Sequence, residues 1–508
     1  MSGGTPLRLT ANPAPDTVPS WSPDGLQIAF MRNAGPGGGV FLISPLGGSE
    51  RKLTDATGFL VAWVPDGKSL VVEDRIAGKE ASSLFLVSVA TGEKRLLPPP
   101  RDAGYFGENF GSGYTFDVSP DGTSLAFARW VSAGTSELYT SPIAKWAPRR
   151  LTRDNASIGG IAWTADAREV VFSSNRRGAR SLWRIPADAR PETEPQLLAA
   201  AGNDAFFPAI SRAGPAKPAR LAYERRVINA NIWRAETAGR GSPPVQIIAS
   251  TGMQNSPQLS PDGKRIVFAS NRTGSLEIWM CDSEGSNAVQ LSSFGTYCGS
   301  PRWSPDSQYI AFDGRAGGKA DVYVVSAEGG SPRRLTIDTS ENARPSWSRD
   351  GRWIYFRSDR SGSRQIWKMP VQGGSAVQIT RNGGFEGFES PDGKTLYYVK
   401  SGSSTGLWSV PVEGGQEAPF LEPVWQSYWS VADKGIYFVD FVEATASNAP
   451  KPVKFFDFRT RQMRQVAAID KEVVRNVPGF FVSRDGRQIL WAQIDRVDSD
   501  LVMVENFR

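Results

Sequence analysis

An all-β fold of repeated four-stranded antiparallel blades, a β-propeller architecture, is predicted for this 508-residue chain by three observations. The phrase Ser-Pro-Asp-Gly, whole or with one substitution, precedes an apolar strand at Ser22, Val64, Ser119, Ser260, Ser304, Ser348, Ser390 and Ser483. Equivalent strands, with or without the phrase, begin at Ile28, Leu70, Leu125, Val170, Leu221, Ile266, Ile310, Ile354, Leu396, Ile436 and Ile489. Their spacing of about 41 to 55 residues is that of a propeller blade, and the count is about 11 repeats. The third observation is a Trp recurring at either of two places in the unit: Trp21, Trp63, Trp163, Trp303, Trp347 and Trp429 before the turn, and Trp183, Trp233, Trp279, Trp367 and Trp408 further on.

Residues 299–336 show the unit in order. Strand a runs into Trp303, strand b is Ile310-Ala-Phe312, strand c is Asp321-Val-Tyr-Val-Val325, and strand d follows Gly329-Gly330 to Leu335-Thr336. Short runs rich in aromatic and β-branched residues, bounded by turn residues, read as strands. Between a and b, Pro presets φ, Asp bonds its own backbone two residues on, and Gly accepts a positive φ. Between b and c, Ser174-Asn-Arg-Arg-Gly178, Ser270-Asn-Arg-Thr-Gly274 and Ser358-Asp-Arg-Ser-Gly362 open on Asn or Asp and close on Gly. One meander cannot bury both faces of its sheet, so blades stack, and the recurring Trp is read as inter-blade filling.

Composition agrees, with 40 % apolar residues, 52 Gly and 36 Pro. The net charge of +6 comes from 58 basic and 52 acidic residues that are interspersed along the chain. A nucleic-acid footprint would cluster, so direct nucleic-acid binding by this region is not expected. Cys281 and Cys298 lie where a bridge is geometrically possible, with two buried thiols as the other reading.

The chain has no histidine. A Ser-His-Asp or Cys-His site and a His-ligated metal centre cannot be assembled from it. Gly402-Ser-Ser404-Thr-Gly406 spells Gly-x-Ser-x-Gly, but in a b-to-c loop and not a strand-to-helix elbow. Asp24, Asp66, Asp121, Asp262, Asp306, Asp350, Asp392 and Asp485 each occupy their own turn, so no catalytic pair is predicted among them. Neither an enzyme, a cofactor nor a metal site is expected.

The pattern Pro-x-Trp-Ser-Pro-Asp-Gly, Ile-Ala-Phe, Ile-Trp or Val-Tyr, then Gly-Gly-x-x-x-x-Leu-Thr resembles the WD40-like PD40 repeat of TolB-type β-propellers over essentially the whole chain. It is most similar to the propeller regions of bacterial sensors of the CadC winged-helix type or of Ser/Thr kinases. Neither partner domain is in this chain, nor are the α/β domain of TolB and the hydrolase domain of prolyl-oligopeptidase-like enzymes. The resemblance implies a non-catalytic binding or scaffold module, the sensor or protein-interaction part of a signalling or transcription-regulatory system. A carboxylate-dependent lyase or hydrolase working at a propeller funnel is the alternative. It also implies a periplasmic location if the chain belongs to a larger membrane-anchored protein, and a cytoplasmic one otherwise. The chain itself shows no secretory signal at Met1-Ser-Gly-Gly-Thr-Pro6 and no apolar run of the ~18 residues a span needs.

Two TolB-like propellers are expected, residues 1–250 and 251–508, divided after a degenerate fifth unit in which Pro208–Leu221 has lost the turn phrase. Geometry favours two rings: with sheets packed about 10 Å apart, eleven blades would hold the inner strands ~18 Å from one axis, against ~11 Å for seven. The alternative is one large ring closed by the N-terminal strand, because Gly3–Thr10 matches strand d and the last unit, ending at Leu501–Val504, has none. If that strand closes the last blade, two rings require the chain to pass between them twice. A chain begun in mid-blade is the rival reading of the same ends.

Propeller ligands meet rim loops where repeats differ. The irregular loops are Arg101–Tyr114, Phe294–Ser300, Pro419–Tyr428 and Asp440–Pro452. Their aromatic residues Tyr105, Phe106, Phe110, Tyr297, Trp425 and Tyr428 are the predicted anchors for a protein, peptide or glycan partner.

Overall fold

The computed structural model describes residues 8–32, 37–58, 60–75, 82–98, 114–132, 134–153, 155–211, 218–237, 243–402, 406–442 and 449–507. Apart from one turn of 3₁₀ helix at Ala199–Ala201, its regular elements are strands. They form ten antiparallel sheets that hold eleven blade units, because one sheet carries two. No helix among the described residues is long and apolar enough to cross a membrane.

The turn phrase folds as its residues dictate. In blade 1 the Ser22 hydroxyl donates to Asp24 Oδ1 at 2.6 Å and accepts from Gln27 N at 2.8 Å, while Leu26 N donates to Asp24 at 2.9 Å. Gly25 closes the turn at φ 74°. The Ser-to-Asp bond recurs at Ser119, Ser260, Ser304, Ser348, Ser390 and Ser483, so these Asp residues hold hairpins. The second turn has its own cap: Arg176, Arg272 and Arg360 each lie over a strand-b Phe and a strand-c Trp.

The Trp residues of strand a do fill the space between blades. The indole N–H of Trp63, Trp163, Trp303 and Trp347 donates to a strand-a carbonyl of the preceding blade, at Ser20, Asp117, Gln258 and Arg302 respectively. Trp21 is the exception, 58 % exposed.

Blades 1 to 4 are local meanders, with strands a at Asp16–Trp21, Val61–Trp63, Tyr114–Val118 and Ile158–Trp163. Blades 6 to 10 are local as well, with strands a at Gln254–Leu259, Cys298–Trp303, Asn342–Trp347, Glu386–Glu389 and Trp429–Ala432. Blades 5 and 11 share one sheet. The strand Leu221–Glu236 pairs along its whole length with Gln488–Val504, from Leu221↔Val504 to Glu236↔Gln488. Blade 5 therefore consists of Ala205–Ile210, the first half of the long upstream strand and the second half of the downstream one. Blade 11 consists of Phe480–Val482, the two remaining halves and Val245–Ile248.

The chain thus crosses twice between blades 1 to 5 and blades 6 to 11, once along Leu221–Glu236 and once along Gln488–Val504. The physical reason is local. Units 5 and 11 carry no Gly or Pro between their b and c positions, so nothing turns the chain back and each strand runs on into the neighbouring group.

Blades 6 to 11 close into a six-bladed ring. Apolar clusters join each to the next, including Val439, Val453, Phe480 and Trp491 between blades 10 and 11, and Ile232, Leu259, Phe268 and Leu490 between 11 and 6. Blades 1 to 5 form an arc joined the same way, ending with Leu182, Ala205, Leu221 and Tyr223 between blades 4 and 5. Among the described residues no such cluster joins blade 5 to blade 1. Residues 1–7 of the N-terminal segment lie outside the described residues, and Leu9 packs on Ile28, Phe30 and Ile43 of blade 1.

Arc and ring meet through their b-to-c turns. The Cβ that Gly274 lacks would come 2.9 Å from the Gly178 Cα. Thr135 Oγ1 donates to the Gly318 carbonyl at 3.0 Å, and Ser132 donates to Glu341 at 2.7 Å. Cys281 and Cys298 are buried, unbridged thiols.

Candidate functional site

The six strands a of the ring line its axis, and their a-to-b turns widen it into a funnel. This cavity, about 860 Å³, takes residues from every blade of the ring. That volume falls in the range of small-molecule sites.

The turn position that holds Pro261 and Pro305 in blades 6 and 7 holds Arg349 in blade 8, Asp433 in blade 10 and Arg484 in blade 11. All of these face the funnel, with Arg302 and Glu389 from neighbouring strand-a positions. The Arg302 guanidinium lies 5.2 Å from the Phe388 ring and donates to the carbonyl of Pro301. Burial lowers its pKa to about 10. Burial also lowers Arg349; the charge on Arg484 pushes the same way, and Asp433 and Glu389 oppose it. Arg484 is lowered by burial against the pull of Asp433. The Glu389 carboxyl is raised by burial although it accepts from the Tyr355 hydroxyl and from Arg349 N, each at 2.6 Å.

The far end of strand a is closed by a different arginine. A bulge with left-handed backbone recurs there, at Ser256, Ser300 and Arg344 in three blades. Arg344 uses it to cross the inner strands, donating to Ser427 Oγ at 2.8 Å, the Asn476 carbonyl at 3.0 Å and Glu386 at 3.4 Å. Strand rise places this plug about 16 Å from Arg349. The funnel is therefore open at the turn end and blocked at the other.

The predicted anchors are not gathered in this funnel. Tyr105, Phe106 and Phe110 lie outside the described residues. Tyr297 is wedged at the seam of arc and ring, against Gly134 of blade 3 and under the Arg315 guanidinium at 4.5 Å. Tyr428 is 2 % exposed and its hydroxyl is bonded to the Val474 carbonyl, so it is a core residue and not a rim anchor. Trp425 is half-buried, edge-on to Phe441 at 6.3 Å, near the plugged end.

Two sets were missed. Asp262 and Asp485 line the same cavity as Glu389 and Asp433, although each turn Asp was read as isolated. The arginines were legible as departures from the turn phrase, Ser348-Arg-Asp-Gly and Ser483-Arg-Asp-Gly, which preserve the turn and change only what it presents.

The family model for the TolB beta propeller domain, PD40, matches residues 106–294 and 239–418. The chain belongs to this family. A curated relative of this TolB-type propeller is the uncharacterized protein Atu1656 of Agrobacterium fabrum, 31 % identical over a 265-residue alignment that covers 49 % of this chain and 83 % of the relative. Among solved structures, TolB from Acinetobacter baumannii is 17 % identical with a TM-score of 0.32, covering 70 % of this chain and 80 % of its own. The putative TolB from Agrobacterium tumefaciens is 18 % identical with a TM-score of 0.28, covering 71 % and 99 %.

Proposed function

We propose that this TolB-family chain is a non-catalytic recognition module whose ligand enters the six-bladed funnel from the turn end. The observation that carries this reading is the blocked cavity itself: closed at Arg344, wide at the turns, and lined by charged side chains that the turn phrase does not need. Two features support recognition over turnover. Histidine is absent, and both oxygens of the buried Glu389 are engaged by Tyr355 and Arg349. In this reading the chain is the sensor or protein-interaction part of a bacterial signalling or transcription-regulatory system.

The test is a peptide and glycan array probed with the purified chain, then with Val431→Trp, which puts bulk into the funnel, and with Trp425→Ala at the plugged end. Ligands of the funnel are lost in Val431→Trp and kept in Trp425→Ala. The reverse pattern moves the site to the predicted rim anchors.

The carboxylate-based enzyme is the second reading, favoured by the convergence of Glu389, Asp433, Asp262 and Asp485 on one cavity. It requires turnover of an array-selected ligand that Glu389→Gln abolishes.

A further inference from the structure

Several arginines of the ring outside the funnel are paired with a carboxylate. Arg234 meets Glu284 at 2.9 Å, Arg265 meets Glu328 at 3.0 Å and Arg360 meets Asp338 at 2.9 Å. Arg302, Arg349 and Arg484 differ: among the described residues none of them has a carboxylate within salt-bridge distance, and all three line the funnel. The single hydrogen bond from the Arg302 guanidinium goes to its own neighbouring carbonyl. The Arg349 and Arg484 side chains make none to described residues, yet each is half-buried.

An unpaired, partly desolvated guanidinium is costly, and two that repel each other cost more. Arg349 and Arg484 line one cavity, where the Arg484 charge bears on Arg349 and Asp433 is a shared counter-charge beyond contact distance. Such a pair is relieved by an oxygen anion set between its members, for which the planar guanidinium fork is built.

The geometry points to a carboxylate-bearing ligand held in the funnel between Arg349 and Arg484, with Arg302 deeper on the Arg349 side; this rests on the funnel being the recognition site. A carboxylate fits better than a phosphate. The lining also carries the carboxylates of Glu236, Asp262, Glu389, Asp433 and Asp485, so a phosphate dianion meets more like charge there than a monoanion does. The cavity of about 860 Å³ accommodates a small organic acid or the end of a peptide. Both present the same group.

Calorimetric titration of the full chain separates the sources with four probes: succinate, N-acetyl-trialanine with a free C-terminal carboxylate, the same peptide amidated, and inorganic phosphate. Saturable binding is expected for succinate or the free-acid peptide and absent for the amide. Binding by succinate alone assigns a small acid; binding by the peptide alone assigns a chain end. Affinity falls at least about tenfold in Arg349→Gln and in Arg484→Gln, is partly restored in Arg349→Lys, and is unchanged in Arg168→Gln, an exposed arginine of the arc. Because neither funnel side chain bonds to described protein groups, circular dichroism and melting temperature stay at wild-type values. The proposal is overturned if neither carboxylate probe saturates by about 10 mM, if both Gln variants bind as wild type, or if phosphate binds as tightly as the carboxylates. Array ligands still lost in Val431→Trp would then leave the recognition reading standing and remove only the anion assignment.

Discussion

Glu386 is the residue whose removal most directly tests how the ring is held together. It is 2 % exposed and gathers donors from two further blades: the Trp429 indole N–H at 2.7 Å, the Ser427 amide, and the guanidinium of Arg344, itself 9 % exposed. Glu386→Ala leaves all three buried donors without that partner. Breaking a buried ion pair from one side costs about 3–5 kcal/mol, and each orphaned buried N–H adds about 1–3 kcal/mol before relaxation. Arg344 keeps Ser427 and the Asn476 carbonyl, which limits its share, so the expected loss is about 4 kcal/mol. Glu386→Gln retains an acceptor of the same shape and loses about half of that, since hydrogen bonds to charged groups are worth roughly twice neutral ones. Urea unfolding followed by Trp fluorescence reads both, with midpoint and slope fitted together. A loss below about 1 kcal/mol for Glu386→Ala, at unchanged slope, would refute the idea that this carboxylate ties blades 8, 9 and 10 at the plugged end.

Three further outcomes follow from particular contacts. Gly274→Ala meets the backbone of Gly178 and must hold φ near 104°, so it destabilises by about 2 kcal/mol or more, whereas Gly329→Ala, at φ 91° with open space around it, loses only about 1 kcal/mol in the same urea assay. Burial raises the Asp117 carboxyl to about 6 from an ordinary 3.8, even though it accepts from Trp163 N at 2.9 Å. Between those values the folded chain holds a proton that the unfolded chain has released, so stability falls as pH rises from about 4 to about 6, by on the order of 3 kcal/mol, and Asp117→Asn flattens that slope in a pH series of unfolding midpoints. Burial pushes the Cys281 thiol up to about 12 and raises Cys298 as well, so neither reacts with a thiol-directed disulfide reagent in the folded chain, and both react in guanidinium chloride.

Most of the blade was legible because its instructions are local. Ser22, Asp24 and Gly25 specify a hairpin within six residues, Trp303 marks the face that meets the next blade, and Gly178 ends a turn because of its backbone alone. The same reasoning could have found the continuous strands of units 5 and 11 from their missing Gly and Pro. It read the ring arginines as turn variants because the turn itself is unchanged by them. Aromatic anchors are not specified locally in this way: Tyr428 shares its residue type with an exposed anchor, and only packing against Phe441 and Phe480 makes it core.

Sequence alone determined the all-β class, the repeat count, the turn chemistry, the inter-blade tryptophans and the PD40 family, all of which depend on contacts within one blade length. Tertiary structure decided which strands pair across the exchange and which side chains share a cavity. Leu221 meets Val504 and Arg349 faces the same funnel as Arg484 only once six blades close on one axis. Strand pairing uses the same backbone groups whatever the partner, so a repeated sequence states how each blade folds and leaves the partner to the packing of the whole.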